Sequence, residues 1–257
     1  MTASEDFEKQ VAGNIAILRD APQLRKQSVD WMLAAAEGSY SYNFKWLGRP
    51  IIQYPTDIVA MQELVWKIRP DVIFETGIAH GGSVILSASL LAMLDYCDAV
   101  EQKRTLDPLA SGRKVVAVDI DIRAHNRAAI EAHPLAHMVE LIQGSSIDPA
   151  IVEQVRKAVG EGKRVLVCLD SNHTHEHVLA ELEAYADLTT VGSYCVVFDT
   201  LVEDTPAPEN RPWGPGNSPK TAVWEFLKGH PEFEIDHDIE AKLLITVAPD
   251  GYLRRVR

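Results

Sequence analysis

The sequence predicts an α/β fold built on a doubly wound, Rossmann-like sheet, with helices at its N-terminal side. Short apolar runs recur after residue 70, each about the length of a strand and each ending in polar or glycine residues. The runs are continuously apolar rather than alternating, which is typical of parallel strands buried on both faces. In such sheets ligands bind beyond the carboxyl ends of the strands. The polar residues that suggest chemistry in this chain are concentrated at those ends.

The strands and helices of the sheet can be assigned in chain order. The predicted strands are VIFETG, KVVAVDID, MVELIQGS, RVLVCLDS and SYCVVFDT. The predicted helices that follow the first four of them are SVILSASLLAMLDYC, HNRAAIEAHP, DPAIVEQVRKAVG and HVLAELEAYADL. This alternation of strand and helix indicates a doubly wound sheet.

Residues 1–70 are predicted to form a helical and covering segment. EKQVAGNIAILRD and RKQSVDWMLAAAEG carry apolar residues at helical spacing. YSYNFKWLGRPIIQYP is aromatic and rich in turn residues, so we interpret it as a covering loop rather than a regular element. TDIVAMQELVWKIRP begins with a Thr-Asp cap signal and ends at a proline, which predicts a third helix. Residues 71–257 are predicted to be the ligand-binding part of one structural unit.

The C-terminal part is predicted to contain a lid, a helix and a hairpin. LVEDTPAPENRPWGPGNSP is rich in Pro and Gly and is long for a compact domain, which favours a functional cover. SPKTAVWEFLKGHP has a Ser-Pro start and predicts a helix. FEID and KLLITVAPDGYLRRVR follow, with APDG as a turn between two strand-like arms.

Composition excludes some classes of protein. The formal net charge of −12 argues against nucleic-acid binding and against a role on anionic membranes. The three cysteines match no zinc or disulfide spacing, and two of them lie in strand-like apolar runs. The polar N-terminus lacks the apolar core of a signal peptide, and no window reads as a membrane span. These features predict a reduced, cytoplasmic protein.

A glycine-rich turn, FETGIAHGGS, follows the first predicted strand and opens a helix. Gly77, Gly81 and Gly82 would let the backbone approach a ligand closely. The pattern matches neither a dinucleotide fingerprint nor a P-loop. Glu75 and Asp119, the acid at the next strand end, fit a ligand with hydroxyls and a positive group, such as S-adenosylmethionine (SAM). The alternative is a turn whose acids are simply solvated.

Two further acids end later strands. Asp170 and Asp199 follow strands that we expect to be neighbours, and neighbouring strands lie roughly 4.8 Å apart. Such a pair makes a natural site for Mg²⁺, which is often held by only one or two carboxylates. Glu203 and Asp204 could also contribute. The alternative is that these acids cap strand ends in water.

Three histidines, His173, His175 and His177, lie just after Asp170. His173 could take a proton from a hydroxyl held on the metal, whose pKa the metal would lower. The other two are expected to open the following helix. A zinc or iron site remains a rival interpretation, although no distant third partner marks an iron triad.

The run from FETGIAHGGS through VVAVDIDIRAHNR, LIQGSSIDP, LDSNHTHEHV, VVFDT and RPWGPGNSPKTAV to PDGYLRRV resembles the cephalosporin hydroxylase family. The resemblance covers roughly residues 50–257. It implies the fold of class I SAM-dependent methyltransferases, with a seven-stranded sheet whose last strand is antiparallel. Relatives methylate sugar hydroxyls. The family name keeps a hydroxylase component in view as an alternative, and a non-catalytic SAM- or nucleotide-binding partner protein is another.

The resemblance also implies roles for individual residues. SAM would contact six of them: Glu75, Gly77, Ser83, Asp119, Ser145 and Ser146. Asp170 and Asp199 would bind the metal, and His173 would be the catalytic base beside Asp170. Relatives carry a pair of ligands at the later strand end, whereas this chain has Phe198-Asp199-Thr200. Either Thr200 replaces a ligand or the site has only two protein carboxylates.

Together these features predict a SAM-dependent O-methyltransferase, assisted by Mg²⁺, that acts on a hydroxyl of a small sugar-containing or other polar metabolite. Residues 201–219 and YSYNFKWLG are expected to close over this acceptor, with Trp213 and Trp46 against a sugar face. Partners beyond the acceptor are not expected, except for a homo-oligomer formed through the N-terminal helices.

Overall fold

A computed structural model describes residues 2–207 and 209–257 of the chain. The N-terminal segment contains three helices and a hairpin. They are α1 (Ala3–Arg19), α2 (Pro22–Ala36), β1 (Phe44–Trp46), β2 (Arg49–Ile51) and α3 (Pro55–Ile68). The hairpin corrects the prediction of an irregular covering loop, since β1 and β2 pair in antiparallel register. The tight turn between them is made by Leu47 and Gly48, both with positive φ.

The start of α3 also differs from the prediction. Pro55 is its first residue and Tyr54 its N-cap, without a side-chain cap. The predicted capping residues are used elsewhere: Thr56 donates to the carbonyl of Ile245, and Asp57 accepts from the hydroxyl of Tyr252. These bonds tie the helix to the C-terminal region, and that tertiary role replaces the local cap.

The remaining elements alternate as the sequence predicts. The strands are β3 (Val72–Thr76), β4 (Lys114–Asp119), β5 (Val139–Gln143), β6 (Val165–Leu169), β7 (Tyr194–Val197), β8 (Phe233–Ile235) and β9 (Tyr252–Arg255). The helices are α4 (Gly82–Glu101), α5 (Ala124–Glu131), α6 (Pro149–Val159), α7 (His175–Tyr185), α8 (Pro219–Gly229) and α9 (His237–Leu243).

Within the described residues, seven of these strands form one sheet in the order β5-β4-β3-β6-β7-β9-β8. The pairs from β5 to β7 are parallel, and β9 runs antiparallel to both β7 and β8. This confirms the predicted fold class. The C-terminal hairpin is β8 with β9, because KLLITV, predicted as a strand arm, instead ends α9 and continues as a loop.

The strands bury both faces, as their continuous apolar composition predicts. Ile73 and Ala117 pack on one side of the sheet against α3, α4 and α5. Phe74 and Val116 pack on the other side against α6, α7 and α8. Helices therefore cover both faces of the sheet, and its exposed polar side chains lie at the ends of the strands.

Helix α4 is long and apolar enough to span a membrane by length and composition. This window contradicts the prediction that no segment is apolar over the length of a membrane span. About 44% of it is buried in the protein, and Val84, Ile85 and Leu91 on its inner face are fully enclosed in the core. A core helix under a parallel sheet has the same composition.

Candidate active site

Residues that follow the parallel strands line a groove at the carboxyl edge of the sheet. The larger part of the groove is a cavity of about 290 Å³. Its wall includes Gly77, Ser83, Asp170, His173 and Asp199. A smaller cavity of about 120 Å³ lies on the side of β4 and β5. Gly77 and Ser171 belong to both walls, so the two cavities are neighbours.

Gly77 lies where the two cavities meet, and only glycine fits at this position. Its φ is +86°. A Cβ at this position would overlap the carbonyl oxygen of Asp170 and lie 2.7 Å from its carbonyl carbon. The glycine therefore lets the turn after β3 pass directly over the end of β6.

Asp119 holds the glycine turn as well as facing the groove. One of its oxygens accepts hydrogen bonds from the backbone N–H groups of Ile78 (2.8 Å) and Ala79 (3.2 Å). It lines the smaller cavity together with Ser145 and Ser146. The structure thus brings these three predicted SAM-contacting residues to one wall.

Glu75 is placed differently from the other predicted cofactor residues. Its side chain is buried behind Ser83, and it lines a separate cavity of about 20 Å³ rather than the main groove. Burial raises its pKa to about 7, against the lowering effect of the hydroxyls of Ser83 and Ser87. Of its two oxygens, Oε1 has no hydrogen-bond partner.

Asp170, His173 and Asp199 come together at one end of the large cavity. Each offers one ligand atom, and these three atoms all lie within 4.8 Å of one another. The Nε2 atom of His173 is 3.4 Å from Oδ2 of Asp199. The pKa of Asp170 is held well above its usual value. The largest cause is burial away from solvent, and the negative charges of Asp199 and Glu75 add to it. A cation among these groups would offset that repulsion.

The other candidate metal ligands are engaged elsewhere. The hydroxyl of Thr200 donates to the carbonyl of Pro249 at 2.5 Å. Glu203 accepts from the N–H of Gly216 and from the hydroxyl of Ser218, and Asp204 forms an ion pair with Lys220. Phe198, at the position where a second ligand is expected, is buried in the core. Among the His, Cys, Asp and Glu side chains of the described residues, His173 is the one that joins the two carboxylates in this cluster.

The remaining histidines of the cluster turn away from the two acids. His175 opens α7 and contacts Thr221 through Nδ1 and Glu225 through Nε2. The ring of His177 lies beside the hydroxyls of Ser146 and Ser171 and lines the smaller cavity. This placement of His177 was not predicted from the sequence, because its partners Ser146 and Ser171 lie outside α7.

Trp213 and Trp46, both expected at the acceptor site, lie in different parts of the structure. The ring of Trp213 meets that of His173 edge to face, with the centroids 4.8 Å apart. Trp46 instead donates from its indole N–H to Ser89 on α4 and packs against the core, which corrects its predicted place at the acceptor. The 201–219 loop is tied down in part, since Asn217 accepts from the N–H of His175 and donates to the carbonyl of Pro212.

The chain is similar to known methyltransferases in sequence. The family model described as rhamnosyl O-methyltransferase/CmcI matches residues 38–256. A rhamnosyl O-methyltransferase of Mycobacterium tuberculosis H37Rv is 30% identical over 204 residues, which cover 78% of this chain and 73% of that protein. One from Mycobacterium leprae is 29% identical over 223 residues, covering 85% and 86%.

Solved structures share the fold. A CmcI structure with Mg and SAM has a TM-score of 0.55 at 18% identity, covering 84% of this chain and 78% of that one. An O-methyltransferase from Bacillus cereus in complex with SAH has a TM-score of 0.55 at 17% identity, covering 91% of both chains. With the family model spanning most of the sequence, the chain belongs to the rhamnosyl O-methyltransferase/CmcI family.

Proposed function

We propose that the protein is a SAM-dependent O-methyltransferase that methylates a hydroxyl of a sugar-containing small molecule. The observation that carries the proposal is the meeting of Asp170, His173 and Asp199 at one end of a groove whose other end holds Asp119, Ser145 and Ser146. Membership of a family of sugar methyltransferases supports the same reaction.

Two features of the groove support a SAM site. Gly77 lets the turn after β3 pass close to Asp170 in the wall of both cavities, and Asp119 presents a carboxylate to the smaller cavity as a ribose would require. We propose that Gly77, Ser83, Asp119, Ser145 and Ser146 contact the cofactor directly. Glu75 lies next to Ser83 outside the main groove, and we propose that it acts on the cofactor site only through that residue.

The cluster that could hold a metal consists of two carboxylates and one imidazole, and the imidazole is left free to act as the base. Asp170 and Asp199 are the proposed ligands of Mg²⁺, and water or acceptor oxygens would complete its shell, as is common for this ion. When bound, SAM supplies the methyl group, and the cation supplies positive charge that lowers the pKa of the acceptor hydroxyl. The repulsion between the two carboxylates is the feature of the chain that favours a cation there.

His173 is the proposed base. Its Nε2 atom faces Asp199, and that carboxylate would stabilise the imidazolium formed when Nε2 takes the acceptor proton. Trp213 packs edge-on against the same ring and limits its rotation. The residues of the groove would then hold acceptor and methyl group in line, and such orientation accounts for much of the acceleration in transfer reactions.

A direct assay tests the function. Purified protein is incubated with SAM, MgCl₂ and a panel of simple rhamnosides and other glycosides, and methyl transfer is followed by mass spectrometry. Methylated glycoside that forms only when both SAM and a divalent cation are present supports the proposal. Binding of SAM without transfer to any glycoside would favour the partner-protein alternative. Hydroxylated product in place of methylated product would favour the hydroxylase alternative.

We propose a small-molecule acceptor, no nucleic-acid or membrane partner, a cytoplasmic location and a homo-oligomer formed through the N-terminal helices. Sedimentation of the purified protein tests the last of these, and a monomer at assay concentration would remove it.

A further inference from the structure

Gln53 is a buried side chain of the cavity wall to which the proposed chemistry gives no role. It lies in the turn between β2 and α3 and is only 7% exposed. Its Nε2 atom donates a hydrogen bond to Oδ2 of Asp170 at 3.3 Å. Gln53 is therefore the contact by which the N-terminal segment touches the proposed metal ligand.

The orientation of the Gln53 amide follows from its partner. With a cation bound, Asp170 is an ionised carboxylate that only accepts hydrogen bonds, so the NH₂ group faces Asp170 and the carbonyl oxygen Oε1 faces away. Oε1 has no hydrogen-bond partner, and neither has Oε1 of Glu75. Both residues line the cavity of about 20 Å³, which has room for one water molecule.

The turn that carries Gln53 is packed tightly against the sheet. A Cβ on Gly82, the first residue of α4, would lie 2.5 Å from Cα of Ile51 and would overlap the carbonyl oxygen of Pro50. Ile51 itself is 1% exposed. The glycine thus lets β2 rest on the start of α4, which fixes the backbone two residues before Gln53.

We propose that Gln53 is a positioning residue that holds one oxygen of Asp170 and so keeps this carboxylate turned toward Asp199 and His173. The inference rests on the proposed metal role of Asp170. It gives the N-terminal segment a part in the reaction centre besides covering it. Carboxylates that bind metals are commonly oriented by such outer hydrogen bonds, and losing one typically costs 10–100-fold in metal affinity.

Metal binding by matched variants tests this role. Gln53→Met keeps the length of the side chain and removes the donor, whereas Gln53→Asn keeps the amide but cannot reach Asp170. Gln62→Met, at an exposed position on α3, is the control. Mn²⁺ is titrated into each protein with saturating S-adenosylhomocysteine, and free Mn²⁺ is measured by electron paramagnetic resonance. Thermal melting and binding of S-adenosylhomocysteine without metal are measured in parallel.

The expected result is a Mn²⁺ affinity about 10–100-fold weaker in both Gln53 variants and unchanged in the control. Melting temperature and metal-free binding of S-adenosylhomocysteine should stay close to wild type. A folded Gln53 variant that binds Mn²⁺ within twofold of wild type would overturn the inference while leaving the proposed function intact. Wild-type protein that binds no Mn²⁺ would overturn the metal role first, and the role of Gln53 with it.

Discussion

The backbone of Asp170 occupies the space that a side chain at residue 77 would need. Gly77 belongs to the proposed cofactor site and Asp170 to the proposed metal site, so this one contact joins the two halves of the groove. We therefore expect the spacing between the two proposed sites to be set by backbone atoms rather than by flexible side chains.

Replacement of Gly77 by alanine should abolish SAM binding and destabilise the fold. The new Cβ overlaps Asp170 and the backbone is at φ +86°, so we expect a loss of about 2–4 kcal/mol in unfolding free energy. Gly160→Ala is a matched control, with a φ of +77° and nothing within 4 Å of the added carbon. Chemical denaturation and calorimetric titration with SAM measure both effects. Equal losses in the two variants would show that conformation, not contact with Asp170, explains the glycine.

Replacement of His173 by glutamine should lower kcat by about 10²–10⁴-fold, because the proposed base is lost. Binding of SAM should change little, since His173 lies at the acceptor end of the groove. His175→Gln is the control, because that ring contacts Thr221 and Glu225 instead. Steady-state methyl transfer at neutral pH gives the comparison. Full activity of His173→Gln would remove the histidine from the mechanism.

Mg²⁺ affinity should respond differently to substitution of Asp199 and to substitution of Thr200. Asp199→Asn should weaken Mg²⁺ binding by at least about tenfold, because it removes one of two proposed anionic ligands. Thr200→Val should leave Mg²⁺ affinity unchanged and cost about 1 kcal/mol of stability, since its hydroxyl serves the carbonyl of Pro249. Isothermal titration with MgCl₂ distinguishes them. Weaker Mg²⁺ binding by Thr200→Val would restore the hydroxyl as a ligand.

Glu75 should make the metal-free protein less stable as pH rises. Its pKa is raised from 4.5 to about 7 in the folded state, so the folded state holds the proton more tightly than the unfolded state does. The stabilisation is present below pH 4.5 and is lost as pH rises through 7, by about 3 kcal/mol in total. Urea denaturation in EDTA at pH 5 and pH 8 should show this loss in wild type and a smaller one in Glu75→Gln. Glu101→Gln, on the exposed face of α4, is the control, and an equal pH response in Glu75→Gln would contradict the assignment.

The family and the doubly wound sheet were predicted correctly from the sequence because both depend on local patterns. Continuous apolar runs such as VLVCL, together with the acids that follow them, specify strands and their ligand-binding ends without any tertiary information. The roles assigned to Asp170, His173 and Asp199 stay predictions, although the fold brings the three side chains together. The division of the chain at residue 70 also stays a prediction.

The misassigned features depend on contacts between distant parts of the chain. Trp46 donates a hydrogen bond to Ser89 rather than facing an acceptor. Asp57 accepts a hydrogen bond from Tyr252 rather than capping the start of its own helix. Gln53 carries no local signal, because nothing in its neighbours indicates that it meets Asp170. Such pairings arise only when the sheet is complete.

The order of strands has a consequence for how the protein is made. Strand β3 pairs with β6, with Val72 opposite Val165, although β4 and β5 lie between the two strands in the chain. Pairings between distant segments carry a large loop-closure cost and form slowly. During synthesis, the glycine turn after β3 therefore leaves the ribosome long before β6, the strand whose end it contacts. We expect the groove to form as one of the last events of folding, after Asp199 has emerged and β7 has docked.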